Sequence, residues 1–293
     1  VIMSVHISSL EGNRQKLDGG AMFGNAPRAM WEKWLKPDEL GRIELACRSL
    51  LIECDGKVIL CETGIGAFFE PKMAERYGVQ TPERHLLLDS LNQLGFTEEQ
   101  VDYVILSHLH FDHAGGLLPP YGSSKSGLLF PNAKYVVGEK AYGRSRNPHL
   151  RDRASFIPQL EELLTNSGRL IVVPEGVSQL PALFGERLSF LYSDGHTPGQ
   201  MHVLLHADGG VKAFFCGDLI PGTSWLHVPI TMGYDRYPEL VIDEKTNIYK
   251  RAVAEGWLLF FTHDPEFSAA YCESQNQRVL AKQKFTELTR FSF

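Results

Sequence analysis

The chain has 293 residues, of which 43% are hydrophobic and 22% charged, and its formal net charge is -6. This composition is typical of a globular protein with a sizeable core. No segment approaches the roughly 18 apolar residues that cross a bilayer, the N-terminus lacks the features of a secretion signal, and no basic cluster favours nucleic acid. The five cysteines lack CxxC spacing, which argues against a disulfide framework. We therefore expect a cytoplasmic protein without a membrane or nucleic-acid partner.

The first third of the chain is predicted to form strands followed by helices. Residue types typical of strands occupy 3–11 and 43–62, and Asp55-Gly56 marks a hairpin turn within the second stretch. Residues 68–77 and 83–94 are predicted helices, and the leucines of the second are spaced to form one buried face. The pattern indicates antiparallel β-structure with helices outside it.

A covering segment at about 18–41 separates the first two strand regions. It carries Phe23, Trp31 and Trp34 and is too apolar for a solvated loop. We expect these aromatic side chains to fill the core, to form a subunit interface or to line a ligand cavity. Because an exposed stretch of this kind would be an unprotected apolar patch, we also expect a homodimer.

The sequence HLHFDH, residues 108–113, directly follows a predicted buried strand. Side chains alternate along a strand, so His108 and His110 can face one side, and a turn can bring Asp112 and His113 to the same space. Imidazole nitrogens combined with a carboxylate oxygen are suitable ligands for zinc, iron, manganese or cobalt. The sequence therefore predicts a metal site at the end of this strand.

The next part of the chain predicts an insertion and then a series of short strands. Residues at about 117–167 include a Pro-, Gly- and Ser-rich piece, a short predicted strand at 133–137 and predicted helices at 140–144 and 158–164. The segment is expected to lie over the metal site. Four predicted strands follow, separated by turn residues: 169–173, 188–192, 201–206 and 211–216. The order of strands, helices and a ligand loop recurs, which suggests two similar halves.

Three further candidate ligands, His196, Asp218 and His263, each follow an apolar run. Loops at one edge of a rigid sheet commonly assemble a functional site. Cys216 is a weaker candidate than Asp218, because the aspartate lies at the end of the strand that the two residues share. Asp264, next to His263, is a candidate for orienting that imidazole.

These residues resemble the pattern of the metallo-β-lactamase superfamily, which is HxHxDH, then a His, a bridging Asp and a final His. All seven positions are present in order. The resemblance implies an α+β protein with a four-layered αββα sandwich, in which two mixed β-sheets have helices outside, formed by a single domain of residues 1–293. It also implies a small-molecule substrate and two divalent metal ions, with zinc expected first and iron, manganese and cobalt left open.

The resemblance also implies a role for each ligand. The residues that would bind the first metal are His108, His110 and His196. Those that would bind the second are Asp112, His113 and His263, and Asp218 would bridge the two metals. Hydrolysis would use a metal-bridging hydroxide, and Asp112 could relay the proton to the leaving group.

Within the superfamily, residues 108–116 and 195–199 resemble the quorum-quenching lactonases. Other segments of the chain are similar to lactonase-like and methyl-parathion-hydrolase-like members. Those lactonases carry a catalytic Tyr three residues after the bridging Asp, where this chain has Pro221. The nearest later titratable side chain is His227, which could supply the acid in its place or could have a structural role.

Lactones or esters are the expected substrates. The candidate pocket wall is aromatic, and its residues are Phe23, Phe68, Phe111, Trp225 and Phe267. No basic cluster favours a highly anionic substrate, whereas neutral acyl chains gain about 0.8 kcal/mol per buried methylene. The alternatives are a phosphotriesterase, then a glyoxalase-II-like thioesterase. A non-enzymatic alternative is an inactive metal-binding or interaction scaffold. About one to two equivalents of bound metal would favour the enzyme, and none would favour the scaffold.

Overall fold

The computed structural model describes residues 5–293, so Met3 and Ser4 of the first predicted strand lie outside the described residues. The chain divides into two compact units. Unit 1 consists of the residues up to Gln15, Ala46–Val177 and Thr289–Phe293. Unit 2 consists of Lys16–Leu45 and Ser178–Leu288. Each unit has its own mixed sheet, and the prediction of one domain spanning residues 1–293 stays a prediction.

The described residues form fifteen strands. In chain order they are β1 His6–Leu10, β2 Gln15–Asp18, β3 Arg42–Leu45, β4 Ser49–Cys54, β5 Lys57–Cys61, β6 Tyr103–Leu106, β7 Lys134–Gly138, β8 Leu170–Val173, β9 Leu188–Ser193, β10 Gln200–Ala207, β11 Gly210–Phe215, β12 Leu258–Phe260, β13 Ala269–Gln275, β14 Arg278–Phe285 and β15 Phe291–Ser292.

The same residues form nine α-helices. They are α1 Gly19–Phe23, α2 Arg28–Trp31, α3 Pro71–Arg76, α4 Leu86–Gln93, α5 Phe111–Ala114, α6 Glu139–Arg146, α7 Leu160–Asn166, α8 Pro181–Phe184 and α9 Pro238–Glu255. Single 3₁₀ turns occupy Glu98–Gln100, Gly115–Leu117, Arg153–Ser155 and Thr223–Trp225. Within residues 5–293, each helix is too short or too polar to cross a membrane.

The seven-stranded sheet of unit 1 has the order β15-β1-β4-β5-β6-β7-β8. Strands β5 to β8 run parallel, whereas β4 pairs antiparallel with both β1 and β5. The β4–β5 hairpin turns at Asp55-Gly56, as predicted, and both residues have positive φ. Strand β6 is enclosed by β5 and β7, which explains its buried apolar run up to Leu106. The ligand loop begins at the end of this central strand.

Helix α4 begins three residues later than predicted because a buried side chain defines its start. Asn13 Oδ1 accepts a hydrogen bond from the backbone N–H of Leu86 (3.0 Å), while its Nδ2 lies within hydrogen-bond distance of three carbonyls of the preceding loop. Leu87 and Leu91 are fully buried, which confirms the predicted apolar face. Gly95, with φ 86°, follows the last turn.

The residues predicted as an insertion, 117–167, contain part of the unit 1 sheet. Strand β7 pairs with β6 on one side and β8 on the other, and α6 and α7 follow it. Most of the Pro-, Gly- and Ser-rich piece lies in the irregular stretch before β7. Strand β7, which lies within the predicted insertion, is therefore a direct neighbour of the ligand strand β6 in the sheet.

The six-stranded sheet of unit 2 has the order β14-β13-β12-β11-β10-β9, and β11 and β12 are its parallel pair. Phe215 and Phe260, the last residues of β11 and β12, lie opposite each other in the register. Asp218 and His263 therefore follow neighbouring strand ends, which is where parallel strands place a site. Helix α9 packs against β13 and ends at Gly256, which has φ 71°.

The covering segment fills the core of unit 2, one of the three outcomes left open by the sequence. Phe23 stacks on Trp225 with ring centroids 4.6 Å apart and on Trp31 at 5.8 Å. Trp225 Nε1 donates to the carbonyl of Met22 (2.8 Å), which satisfies the buried indole N–H. Trp34 lies edge-on to Phe23 at 5.5 Å and remains half-buried.

Candidate metal centre

The predicted ligand loop of unit 1 brings its four polar side chains together. His108 Nε2 lies 3.1 Å from His110 Nδ1, and His113 Nε2 lies 3.7 Å from Asp112 Oδ1. The rings of His108 and His113 are 4.1 Å apart between centroids. All four residues are at least 91% buried. The chain changes from extended backbone at His110 to the single turn of α5, which is the change of direction that the sequence predicted.

Glycines allow this turn to lie directly on the backbone that follows β5. A Cβ atom at Gly116 would be 2.0 Å from the carbonyl oxygen of Thr63, and one at Gly115 would be 2.3 Å from that of Ile65. The Thr63 N–H in turn donates to the carbonyl of His113 (2.9 Å). The Thr63–Gly66 loop therefore supports the ligand turn through backbone contacts.

Glu62, which sequence reasoning missed, orients two of the imidazoles. It is fully buried, and its Oε2 accepts from His113 Nδ1 at 2.7 Å. Its Oε1 accepts from the Ser107 hydroxyl, which in turn accepts from His108 Nδ1 at 2.8 Å. The carboxylate thus holds both histidines with a proton on Nδ1 and directs both Nε2 lone pairs away from it. Candidate ligand atoms of Glu62, His108 and His113 all lie within 4.8 Å of one another.

Gln15 holds the carboxylate of Asp112. Its Nε2 donates to Asp112 Oδ2 at 2.7 Å, and the Gln15 side chain is fully buried. The Oδ1 atom of Asp112 is the one that lies nearer to His113. Asp112 Oδ2 therefore accepts a hydrogen bond from Gln15, whereas Oδ1 faces His113.

The three candidate ligands of unit 2 also converge. Asp218 Oδ2 lies 3.2 Å from His196 Nε2, and Asp218 Oδ1 lies 3.0 Å from His263 Nε2. On the other side of the His196 ring, Nδ1 donates to Asp235 Oδ1 at 2.8 Å. All four residues are at least 94% buried. Asp235 was also missed, because it is 39 positions from His196 in the sequence.

The donor atoms of both groups fit a divalent cation. A neutral imidazole that donates from Nδ1 carries a lone pair on Nε2. In unit 2 the Nε2 lone pair of His196 would face a carboxylate oxygen at 3.2 Å, and in unit 1 that of His108 would face a second imidazole nitrogen at 3.1 Å. The facing acceptors in unit 2 are favourable when a cation is bound between them. The contact in unit 1 can also be a hydrogen bond donated by His110 Nδ1. Neutral imidazoles and carboxylates match the ligand types expected for zinc and its neighbours.

The weaker sequence candidates have other contacts. Burial raises the pKa of the Cys216 thiol well above its usual value, and Cys216 Sγ donates to the carbonyl of Phe214 at 3.8 Å. Asp264 is buried and accepts from the backbone N–H of Thr223 (2.7 Å) and from that of Phe267 (2.8 Å), which fixes the loops on either side. The half-buried His227 ring lies 6.0 Å from that of Trp34. Its proposed catalytic role stays a prediction.

The five predicted pocket residues differ in their surroundings. Phe23 and Trp225 are at least 99% buried within the stacked cluster of unit 2. Phe111 packs on Tyr77 with centroids 4.4 Å apart, and Phe68 packs on Phe69 at 4.2 Å. The Phe267 ring is covered by Lys284 Nζ at 4.0 Å. Their role as a pocket wall stays a prediction.

Comparison with known proteins identifies the family. The family model of the metallo-beta-lactamase superfamily matches residues 42–263. An N-acyl homoserine lactonase from a Bacillus species is 27% identical over 250 residues, covering 79% of this chain and 86% of that protein. A probable metal-dependent hydrolase from Staphylococcus aureus has a TM-score of 0.85 and 25% identity, with all of both chains covered.

The structure of AidC, a dizinc quorum-quenching lactonase, shares the fold at 20% identity. Its TM-score is 0.72, and the match covers 99% of this chain and 95% of that one. The predicted α+β class, the predicted fold and the predicted resemblance are confirmed. The chain therefore belongs to the metallo-beta-lactamase superfamily, is similar to its lactonase members and is a metal-dependent hydrolase.

Proposed function

We propose that this protein hydrolyses lactones or esters with two divalent metal ions, of which zinc is the first candidate. The proposed ligands are His108, His110, Asp112, His113, His196, Asp218 and His263. The observation that carries the proposal is the orientation of the imidazoles by buried carboxylates. Glu62 acts on His113 directly and on His108 through Ser107, and Asp235 acts on His196. Hydrogen bonds of this kind fix the tautomer of metal-binding histidines.

The bound metals would supply a water of lowered pKa and would polarise the scissile carbonyl oxygen. The residues of the chain do the remaining work. Because Gln15 holds Asp112 Oδ2, Asp112 keeps a fixed orientation from which it can bind a metal and pass a proton to the leaving oxygen. His227 is the alternative proposed donor of that proton, in place of the Tyr of related lactonases.

The substrate class follows from charge and from similarity. The lactonase from Bacillus is 27% identical to this chain. The net charge of -6 disfavours a highly anionic substrate, whereas a neutral acyl chain would gain about 0.8 kcal/mol for each buried methylene. An acyl-homoserine lactone has both a neutral ring ester and an apolar chain. It is therefore the first substrate to test.

The test is a substrate panel run with the metal-loaded enzyme. It includes acyl-homoserine lactones of increasing chain length, simple lactones, aryl esters, a paraoxon-type phosphotriester, a glutathione thioester and a cephalosporin. We expect the highest kcat/KM for a lactone or ester, with a lower rate for the neutral phosphotriester. A phosphotriester, thioester or β-lactam turned over far faster than every lactone and ester would contradict the proposed substrate.

The metal site is tested by elemental analysis of variants. His108→Ala and His113→Ala should each reduce bound metal below two equivalents and lower hydrolysis by orders of magnitude. The matched control is His149→Ala, which removes an exposed imidazole from the same unit. Full metal content and full activity in both ligand variants would refute the site. No bound metal in the wild-type protein would instead support the inactive-scaffold alternative.

A further inference from the structure

A chain of four hydrogen bonds connects the two ends of the turn that carries Asp218. The backbone N–H of Asp218 donates to Gln200 Oε1 at 2.7 Å, and Gln200 Nε2 donates to Ser193 Oγ at 3.2 Å. Ser193 Oγ lies 2.7 Å from His202 Nε2, and His202 Nδ1 lies 3.1 Å from the carbonyl oxygen of Phe215. Only Cys216 and Gly217 separate the first and last members of this chain.

The directions of these hydrogen bonds are mutually consistent for a neutral His202 with its proton on Nδ1. Because the Phe215 carbonyl can only accept, His202 must carry a proton on Nδ1. In the neutral ring, Nε2 then accepts from the Ser193 hydroxyl, whose oxygen accepts from Gln200. Each of the four contacts then joins one donor to one acceptor. Burial lowers the pKa of His202 to about 4, which is consistent with a neutral ring.

The strand register places these side chains beside one another. Ser193 of β9 pairs directly with Gln200 of β10. His202 is two residues after Gln200, so both side chains are on the same face of the strand. Ser193, Gln200 and His202 are at least 97% buried. A buried polar group left without its partner destabilises the fold, so breaking one member affects the next.

We propose that His202 is a positioning residue for Asp218, acting through Ser193 and Gln200 to fix the turn that carries this carboxylate. The turn is held from both ends, by the Phe215 carbonyl and by the Asp218 N–H. This arrangement fixes the direction from which the two Asp218 oxygens approach His196 Nε2 and His263 Nε2. The inference rests on the proposed function, in which Asp218 is a metal ligand, and it assigns the residues that maintain its geometry.

The same two strands provide a matched control. Ser189 Oγ lies 2.6 Å from His206 Nε2, so β9 and β10 contain a second serine–histidine hydrogen bond of the same type. Ser189 is 93% buried and Ser193 is 97% buried. Ser193→Ala and Ser189→Ala therefore each delete a buried hydroxyl of β9 that contacts a histidine of β10, although His206 is half-buried. Only Ser193 belongs to the series that ends at Asp218.

Two measurements test the proposal. In competition with a chromophoric chelator, Ser193→Ala and His202→Leu should raise the dissociation constant for zinc by about 10–100-fold, whereas Ser189→Ala stays close to wild type. His202→Gln keeps an acceptor for the Ser193 hydroxyl and should lie between wild type and His202→Leu. In the metal-free protein, the amides of residues 216–220 should exchange hydrogen faster in Ser193→Ala than in Ser189→Ala.

The outcomes separate this proposal from the proposed function. Absence of zinc binding by the wild-type protein would refute the proposed function, while amide exchange in the metal-free protein would still test the hydrogen-bond series. Wild-type zinc affinity and exchange in Ser193→Ala would overturn the positioning role, as would equal effects of the two serine substitutions. If His202→Leu does not fold, the serine pair decides alone.

Discussion

Lys245 is a buried lysine of unit 2 whose burial should have a measurable effect on the free energy of unfolding. Its side chain is fully buried on α9, and Nζ donates to the carbonyls of His227 and Ile230, each at 2.8 Å. A neutral amine has two N–H groups, which matches these two acceptors. Burial lowers the pKa of Lys245 to about 7 from 10.5, and nearby Asp235 opposes only part of this shift. We predict that the free energy of unfolding depends on pH through this amine.

The sign follows from proton binding. Between about pH 7 and pH 10.5 the unfolded chain carries a proton on Lys245 that the folded protein does not, so stability rises with pH in this window. The limiting slope is about 1.4 kcal/mol per pH unit, which corresponds to about 2 kcal/mol between pH 7 and pH 9. Lys245→Met removes this contribution. The substitution also removes the two hydrogen bonds to the carbonyls, but this loss is the same at pH 7 and pH 9. It therefore does not change the dependence of the unfolding free energy on pH.

The assay is urea unfolding of metal-free wild type and Lys245→Met at pH 7 and pH 9. The difference in unfolding free energy between the two proteins should change by about 2 kcal/mol, with wild type gaining stability at the higher pH. Lys250→Met, which replaces an exposed lysine of the same helix, is the control and should show the wild-type pH dependence. Equal pH dependence of wild type and Lys245→Met would refute the reasoning.

Three further predictions concern the ligand turn, the acid and the subunit structure. Gly116→Ala places a Cβ 2.0 Å from the carbonyl oxygen of Thr63 and should destabilise the fold by about 3 kcal/mol or more. Gly143→Ala, whose Cβ would lie in open space on α6, should stabilise the fold by about 0.5–1 kcal/mol. Thermal unfolding of both variants checks these values. His227→Ala should lower lactone kcat with little loss of bound metal, and unchanged turnover would remove its proposed role. Light scattering should give about twice the 32.9 kDa chain mass, and a monomer at micromolar concentration would contradict the dimer.

The ligand residues could be predicted because each is next to a strong local signal. HLHFDH follows an apolar strand, and Asp218 and His263 follow neighbouring strand ends. Glu62 has the same signal, since it directly follows β5, but its function depends on contacts with residues 45 and 51 positions away. Such contacts are set by the parallel pairing of β5 and β6, which no local pattern records.

For two large parts of unit 2, helix α9 and the β13–β14 hairpin, the sequence predicted no bounds. Helix α9 spans eighteen residues, but its buried face includes Lys245, whose charge interrupts the apolar periodicity that identifies a helix. Strands β13 and β14 form the edge hairpin of the sheet, and most of β14 is exposed or half-buried. Their polar residues carry little of the alternation that marks a strand, so tertiary pairing with β12 determines the structure of this region.

The glycine contacts beneath the ligand turn bear on how this protein could be altered in laboratory evolution. Side chains larger than hydrogen at Gly115 and Gly116 would enter the backbone of residues 63–65. A mutant library that varies Gly115 or Gly116 should therefore contain many destabilised members. Changes in substrate preference should therefore be sought in loops that do not touch this backbone contact, and the two segments should be transferred to another scaffold only together.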